Sequence, residues 1–326
     1  MFKFTISAPM TIFLNGDAIL EYNGPCVTAA LNHRVYVEFS SLPLDIALER
    51  YIRIIFKSLK FYLNIPLYAF FEHFYEQNVI REFSEEDLIN EITVFLESLN
   101  IKYSIFDSMK EAQYLSLQAF LYLLLFMARK ENITITATIA VQIWSDSHII
   151  GKGLGSSASF VTCLAACFWR WSLLQKGIIR NVNKEFIDND YTQIEFYALS
   201  CEKIIFNCQN RIKLLTSING SIMTFDNAIE LSNRPFKIHT VLINMNQDLL
   251  KTLGLSNQYI DFICTTVQSV QKYSCGCKMT GTNGYVFILS LPNTKISDIE
   301  KLKDELISHN FPSFVTGISP EGIRIW

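Results

Sequence analysis

Residues 151–159, Gly-Lys-Gly-Leu-Gly-Ser-Ser-Ala-Ser, have the types and spacing to do chemistry. Gly151, Gly153 and Gly155 allow main-chain N–H groups to converge without Cβ clashes. The stretch follows an alternating apolar run, Ile133 to Trp144, and enters a long apolar helical pattern, Ala158 to Leu174. A helix starting there points its positive dipole end at the converging amides, and that combination binds phosphate. Ser156 and Ser157 are placed to cap the helix, and either hydroxyl can ligate a magnesium ion carried by a nucleotide. An ordinary strand-turn-helix connection with a serine cap fits the spacing equally well, because loose glycine-rich strings recur by chance. A P-loop would end Gly-Lys-Ser/Thr, whereas Lys152 lies between glycines. A dinucleotide site would need a short βαβ unit here, and none surrounds the loop.

The elements around the loop must hold it in place. Strands are expected at Phe4–Pro9, Cys26–Leu31 and Arg34–Ser40, and helices at Leu44–Leu63, Glu85–Ser98 and Met109–Lys130. Ile133–Trp144 alternates with period two, the pattern of a half-buried strand. After Asn227 the pattern predicts a strand (Phe236–Ile243), helices (Gln247–Leu253, Tyr259–Lys272), a strand (Tyr285–Leu291), a helix (Ile296–His309) and a strand (Phe314–Gly317). Runs of strands and helices without strict alternation imply an α+β fold.

Composition sets the bounds. The chain has 326 residues, enough for about two domains and a sizeable core. Half of its residues are apolar and 18% are charged, which excludes a disordered chain. A net charge of −3 gives no electrostatic reason to expect nucleic acid or an anionic membrane as partner. Eight cysteines form no Cys-x-x-Cys pair, so buried free thiols and a reducing, cytoplasmic setting are expected. Cys275 and Cys277 flank one glycine; a plain loop is favoured there over a metal pair. The apolar run Tyr114–Met127 is shorter than the roughly 18 residues a membrane span needs, and 158–174 contains Arg170. Both are expected to be buried helices. No targeting segment is visible at the N-terminus.

The glycine string resembles the phosphate loop of the galactokinase, homoserine kinase, mevalonate kinase and phosphomevalonate kinase superfamily, Pro-x-Gly-x-Gly-Leu-Gly-Ser-Ser-Ala, without its proline. Ser7-Ala8-Pro9-Met10-Thr11 through Gly16-Asp17 is similar to the opening of mevalonate kinases, Ser-Ala-Pro-Gly-Lys…Gly-Glu-His. Asn246-Gln247-Asp248-Leu249-Leu250 and Leu253-Gly254-Leu255-Ser256 resemble that family's Asn-Gln-x-Leu-Leu…Leu-Gly-Val-Ser segment. Lys278-Met279-Thr280-Gly281 resembles the start of its last glycine motif, and 317–325 its closing strand. The resemblance implies two lobes: an N-terminal ATP-binding lobe over 1–180, like ribosomal protein S5, and a shortened ferredoxin-like lobe over 181–326.

It also implies transfer of the ATP γ-phosphate to the primary alcohol of mevalonate, in isoprenoid biosynthesis, with ATP and Mg2+ as cofactors. The phosphate loop would be Gly151, Gly153, Leu154, Gly155, Ser156 and Ser157, and the metal ligands Ser157 and Glu202. A hydroxyl and a carboxylate suit octahedral magnesium, although Glu202 alone could be a solvated helix charge. Two catalytic positions depart from the pattern. Lys213 stands where the family has the aspartate proposed as base, and Thr11 where it has a lysine. An ammonium does not accept a proton, but phosphoryl transfer depends mainly on positioning and charge stabilisation. Lys213 either supplies the lost positive charge or is a surface lysine of a lapsed site. Asp17 replaces the family's glutamate, and the last motif, Thr280-Gly281-Thr282-Asn283-Gly284, has fewer glycines and could form a plain type I′ hairpin. The family's multi-helix segment before Asn246 is missing. Three readings follow: a mevalonate kinase homologue, a catalytically silent relative binding nucleotide or a protein partner, and a sibling kinase for another small alcohol. A homodimer is common in the family.

Overall fold

The computed structural model describes residues 1–17, 24–43, 50–75, 84–103, 111–133, 135, 137–146, 154–178, 186–208, 211–226, 229–230, 240–269, 275–280, 285–290 and 294–326. The chain opens with two long antiparallel strands, β1 (Phe2–Asn15) and β2 (Cys26–Pro43). β3 (Tyr51–Phe56) and β4 (Phe61–Pro66) form a hairpin, and helices α1 (Leu67–Phe74), α2 (Glu85–Tyr103) and α3 (Glu111–Glu131) follow. Next come β5 (Ala137–Ser145), α4 (Ser156–Gln175), α5 (Asp188–Phe206) and α6 (Arg211–Asn219), then β6 (Ile222–Asp226) and β7 (Ile229–Glu230). The remainder is α7 (Thr240–Thr252), α8 (Gln258–Ser269), β8 (Gly276–Thr280), β9 (Tyr285–Leu289), α9 (Ile296–Ser308) and β10 (Arg324–Ile325).

One sheet runs β10-β1-β2-β5-β3-β4, with β6 added to the far end of β2 and β7 to β6. Among the described residues only the β3–β5 pair is parallel, after a crossover through β4 and three helices. Helices α3 and α4 carry the two apolar runs and are mostly buried within the first core, where they meet α5. The second core is smaller: Leu250 of α7, Ile260, Cys264 and Val267 of α8, Cys277 and Met279 of β8, and Leu302 and Leu306 of α9. The fold is two-lobed and α+β. The elements α5, α6, β6 and β10, which the sequence assigned beyond residue 180, all pack on the first sheet.

The return of the chain end to that sheet depends on Arg34. Its side chain is 4% exposed, and its guanidinium donates to Ser7 Oγ (3.0 Å), the Ser7 carbonyl (3.1 Å), Ser319 Oγ (3.2 Å), and the Glu321 (3.2 Å) and Gly322 carbonyls. A planar fork of five N–H donors can hold that many acceptors at once. It braces the closing segment beside the Ser7–Arg324 pair of β1 and β10.

Three expected elements differ. The helix expected at Leu44–Leu63 is replaced, over its described part, by β3 and β4: Ile52, Ile54 and Phe56 face inward and their neighbours outward, a period-two pattern. The strand expected at Phe236–Ile243 gives way to α7 from Thr240 onward. There Asn244 Oδ1 accepts from the Cys277 N–H and Gln247 Oε1 from the Met279 N–H, both at 2.8 Å. Those residues share a helix face three positions apart, so the helix satisfies the exposed edge of β8. Phe314–Gly317 forms no strand; the nearby Ile318 makes a single bridge to Leu31.

Candidate active site

The site is built on an irregularity in β1. Pro9 has no N–H to give the ladder, and the β1–β2 register shifts between Pro9 and Thr11. The Pro9 carbonyl then accepts from two helices: Ser159 Oγ of α4 (2.7 Å) and Ser217 Oγ of α6 (2.8 Å). Both helices are thereby fixed to one point of the strand.

The described end of the glycine loop rests on the same place. The Thr11 N–H donates to the Leu154 carbonyl at 3.1 Å. Gly155 has φ +60°, and a Cβ there would lie 2.1 Å from Thr11 Oγ1. Glycine is therefore required twice over, by backbone sign and by space. Gly155 is also the N-cap of α4, and no side chain caps the helix. This corrects the expectation that Ser156 or Ser157 is the cap: both lie inside the first turn. Gly151 and Gly153 lie outside the described residues. Thr11 is fully buried beneath Gly155, with its hydroxyl lacking a hydrogen-bond partner. It supports the described end of the loop at Leu154 and Gly155.

Ser157 and Glu202 are brought together. Glu202 lies near the C-terminal end of α5, is 1% exposed, and leaves Oε1 without a partner. Burial raises its pKa above the ordinary carboxylate range; hydrogen bonding to Ser157, then to Cys208, and the nearby Lys213 charge hold the rise in check. α5 ends four residues before α6: Asn207 takes a left-handed conformation, and its N–H caps the Glu202 carbonyl. That reversal turns α6 back so that half-buried Lys213 faces the same carboxylate. The Lys213 ammonium also lies 5.3 Å from the centroid of the Phe13 ring on β1. Lys213 thus contributes its charge to the surroundings of Glu202.

A buried carboxylate oxygen with no donor, beside a serine hydroxyl and the N-terminus of a helix, is a hard-oxygen set that fits magnesium. No cluster of three or more His, Cys, Asp or Glu side chains able to hold a metal occurs among the described residues. Cys277 lies in the buried strand β8, and Cys275 directly precedes it, so the plain loop expected here gives way to a strand at Cys277.

An ion pair not singled out from the sequence joins β8 to the end of β1. Lys278 of β8 is fully buried, and its ammonium donates to Asp17 Oδ1 (2.7 Å), Asp17 Oδ2 (2.9 Å) and the Met279 carbonyl (2.8 Å). Asp17 is presented by Gly16, whose φ of +84° turns the chain sharply after β1. Burial lowers the Lys278 pKa, and the Asp17 charge and hydrogen bonds oppose that. The signal was present in the two motif fragments that carry these residues, but no spacing links positions this far apart in the chain. The Asn283-Gly284 turn lies outside the described residues, between β8 and β9, which pair through Thr280 and Tyr285.

No family profile matches the chain. Human mevalonate kinase is 23% identical, over 98% of this chain and 94% of that protein. A solved mevalonate kinase superposes with a TM-score of 0.65 at 16% identity, covering 99% of this chain and 97% of that one. The mevalonate kinase of Methanococcus jannaschii gives a TM-score of 0.62 at 17% identity, covering 99% and 96%. The chain is thus similar to mevalonate kinases over nearly its whole length, in sequence at low identity and in its two-lobed kinase fold.

Proposed function

We propose that the protein binds ATP with magnesium at the start of α4 and transfers the γ-phosphate to a small primary alcohol, mevalonate being the first candidate. The observation that carries this reading is the meeting of Ser157 and Glu202, from different helices, beside the end of the glycine loop. Glu202 and Ser157 would hold the metal, which when bound supplies charge neutralisation between the phosphates. The first-turn amides of α4, with Leu154, Gly155 and Ser156, would orient the triphosphate, and Gly151 and Gly153 complete the loop in this reading. Lys213 attracts the same anionic region from α6. Its ammonium can offset charge on the transferred group but cannot take the alcohol's proton. Without a base, the reaction loses about 10²–10⁴-fold, which leaves a slow enzyme. Similarity to mevalonate kinases over nearly the whole chain favours mevalonate over other alcohols. The reading places the protein in the cytoplasm, in keeping with eight free thiols.

Thermal melting with ATP and magnesium tests the binding half. Nucleotide at about 100 times its Kd should add about 2.7 kcal/mol of stability. A coupled ADP-release assay with mevalonate tests transfer. No shift with MgATP would overturn the whole reading. A shift without ADP release would support a silent nucleotide-binding relative, which the lysine at position 213 also favours.

Lys213→Asp separates the two roles of that lysine. In the charge-stabilising role, the substitution removes the cation and sets a second carboxylate near buried Glu202, so ADP release should fall and MgATP binding weaken. A large gain in rate would show that the position needs a base and that Lys213 is an inactivating change.

A further inference from the structure

We infer that Cys264 and Cys277 are a redox-modification site, closing a reversible disulfide when the protein meets a peroxide. The Cys277 thiol lies 3.2 Å from Cys264 Sγ, sulfur to sulfur, across the contact between α8 and β8. Forming the bond requires the sulfurs to approach by roughly 1 Å, toward about 2.05 Å. The other buried thiols for which a hydrogen bond is described point elsewhere: Cys163 to the Ile6 carbonyl at 3.2 Å and Cys201 to the Ala119 carbonyl at 3.9 Å. Cys264 and Cys277 face each other directly, sulfur to sulfur.

The surroundings set the conditions. Both side chains belong to the small second core, which offers few apolar neighbours and so opens more readily than the first. Contact with Cys264 and burial push the Cys277 thiol far above its ordinary range, so the thiolate is scarce at neutral pH. Oxidation is slow, needs an oxidant small enough to enter, and quickens with pH. The step balances: two thiols and one hydrogen peroxide give one disulfide and two waters. The two electrons leave the sulfurs for the peroxide O–O bond, and both thiol protons end on the resulting waters. A dithiol reverses it.

The position gives the bond a consequence. Side chains alternate along a strand, so Cys277 faces α8 while the adjacent Lys278 reaches the opposite way to Asp17. A covalent pin at Cys277 would fix α8 to the strand that carries the lobe-bridging lysine. None of this depends on the proposed kinase activity.

The test uses the full-length protein treated with hydrogen peroxide at mildly alkaline pH, then denatured, alkylated and digested without reduction. The expected result is a mass loss of two hydrogens, a peptide linked between Cys264 and Cys277, and two fewer alkylated cysteines than the eight of the reduced protein. Dithiothreitol should restore all of them. Cys264→Ser should abolish the link, and Cys163→Ser should leave it intact. If peroxide leaves every thiol alkylatable, joins other cysteines, or adds oxygen to Cys277 without a link, the inference fails. Because the natural protein supplies the main readout, a variant that does not fold leaves the test standing.

Discussion

Glu202→Gln is expected to melt at a higher temperature than the natural protein and, at the same time, to lose magnesium-dependent stabilisation by ATP. The two effects have one cause. Burial raises the Glu202 pKa in the folded state, with Ser157, Cys208 and Lys213 offsetting only part of the cost of burying a charge. A carboxyl whose folded pKa is raised binds more protons folded than unfolded. Its contribution is therefore greatest below the ordinary carboxylate range and is lost as pH rises through the folded value. Each pKa unit is worth about 1.4 kcal/mol. Glutamine carries no charge and keeps an oxygen that can accept from Ser157, so the variant escapes the penalty. One kcal/mol corresponds to about 2–4 °C in domains of some 150–250 residues. The gain should be present at pH 8 and vanish near pH 4. Removing a carboxylate ligand should weaken MgATP at least tenfold, about 1.4 kcal/mol. Melting curves with and without MgATP, at both pH values, give all four numbers. A variant less stable than the natural protein at pH 8, or one with an undiminished MgATP shift, would show that Glu202 is a structural acid and not a metal ligand.

Glu202 could be singled out in the sequence because its motif is local, and so could Gly155 at the described end of the loop. Glycine spacing reports a backbone need, and Gly155 proves to have both the positive φ and the lack of room that demand glycine. Element types were legible where one period dominated, as in α3, α4 and β5. They failed where apolar density was high but the period short. Residues 51–66 are rich enough in Ile, Leu and Phe to suggest a helix, and only their alternating burial distinguishes β3 and β4. The start of α7 was misread because its polar face, Asn244 and Gln247, is directed to the β8 backbone, a tertiary partner that the sequence does not display. The Pro9 carbonyl shared by Ser159 and Ser217 was unreadable for the same reason. Main-chain acceptors leave no trace in residue type. The boundary expected near residue 180 followed chain order, whereas α5, α6, β6 and β10 follow the first sheet.

The Asp17–Lys278 pair joins the parts that chain order keeps apart, and breaking it should have the largest effect on stability. Lys278→Met leaves a carboxylate facing the space the ammonium filled, and Asp17→Asn leaves a fully buried ammonium with a neutral partner. Each single change is expected to cost about 3–5 kcal/mol, the usual consequence of an uncompensated buried charge. The double variant should recover most of the loss. Burial is the dominant influence on Lys278 and exceeds the opposing attraction of Asp17, so the intact pair does not fully offset its own desolvation. A lysine held below its ordinary range binds fewer protons folded than unfolded, so its contribution rises with pH across that alkaline window. The double variant should lack this rise. Urea midpoints for the natural protein, both singles and the double complete the cycle. Additive losses would mean that the two side chains act independently, and the β1–β8 junction would then depend on packing alone. Strong recovery would show that the charges are coupled. Their retention in the natural protein would then come at some expense in stability, which implies that the pair serves to orient the lobes rather than to hold them folded.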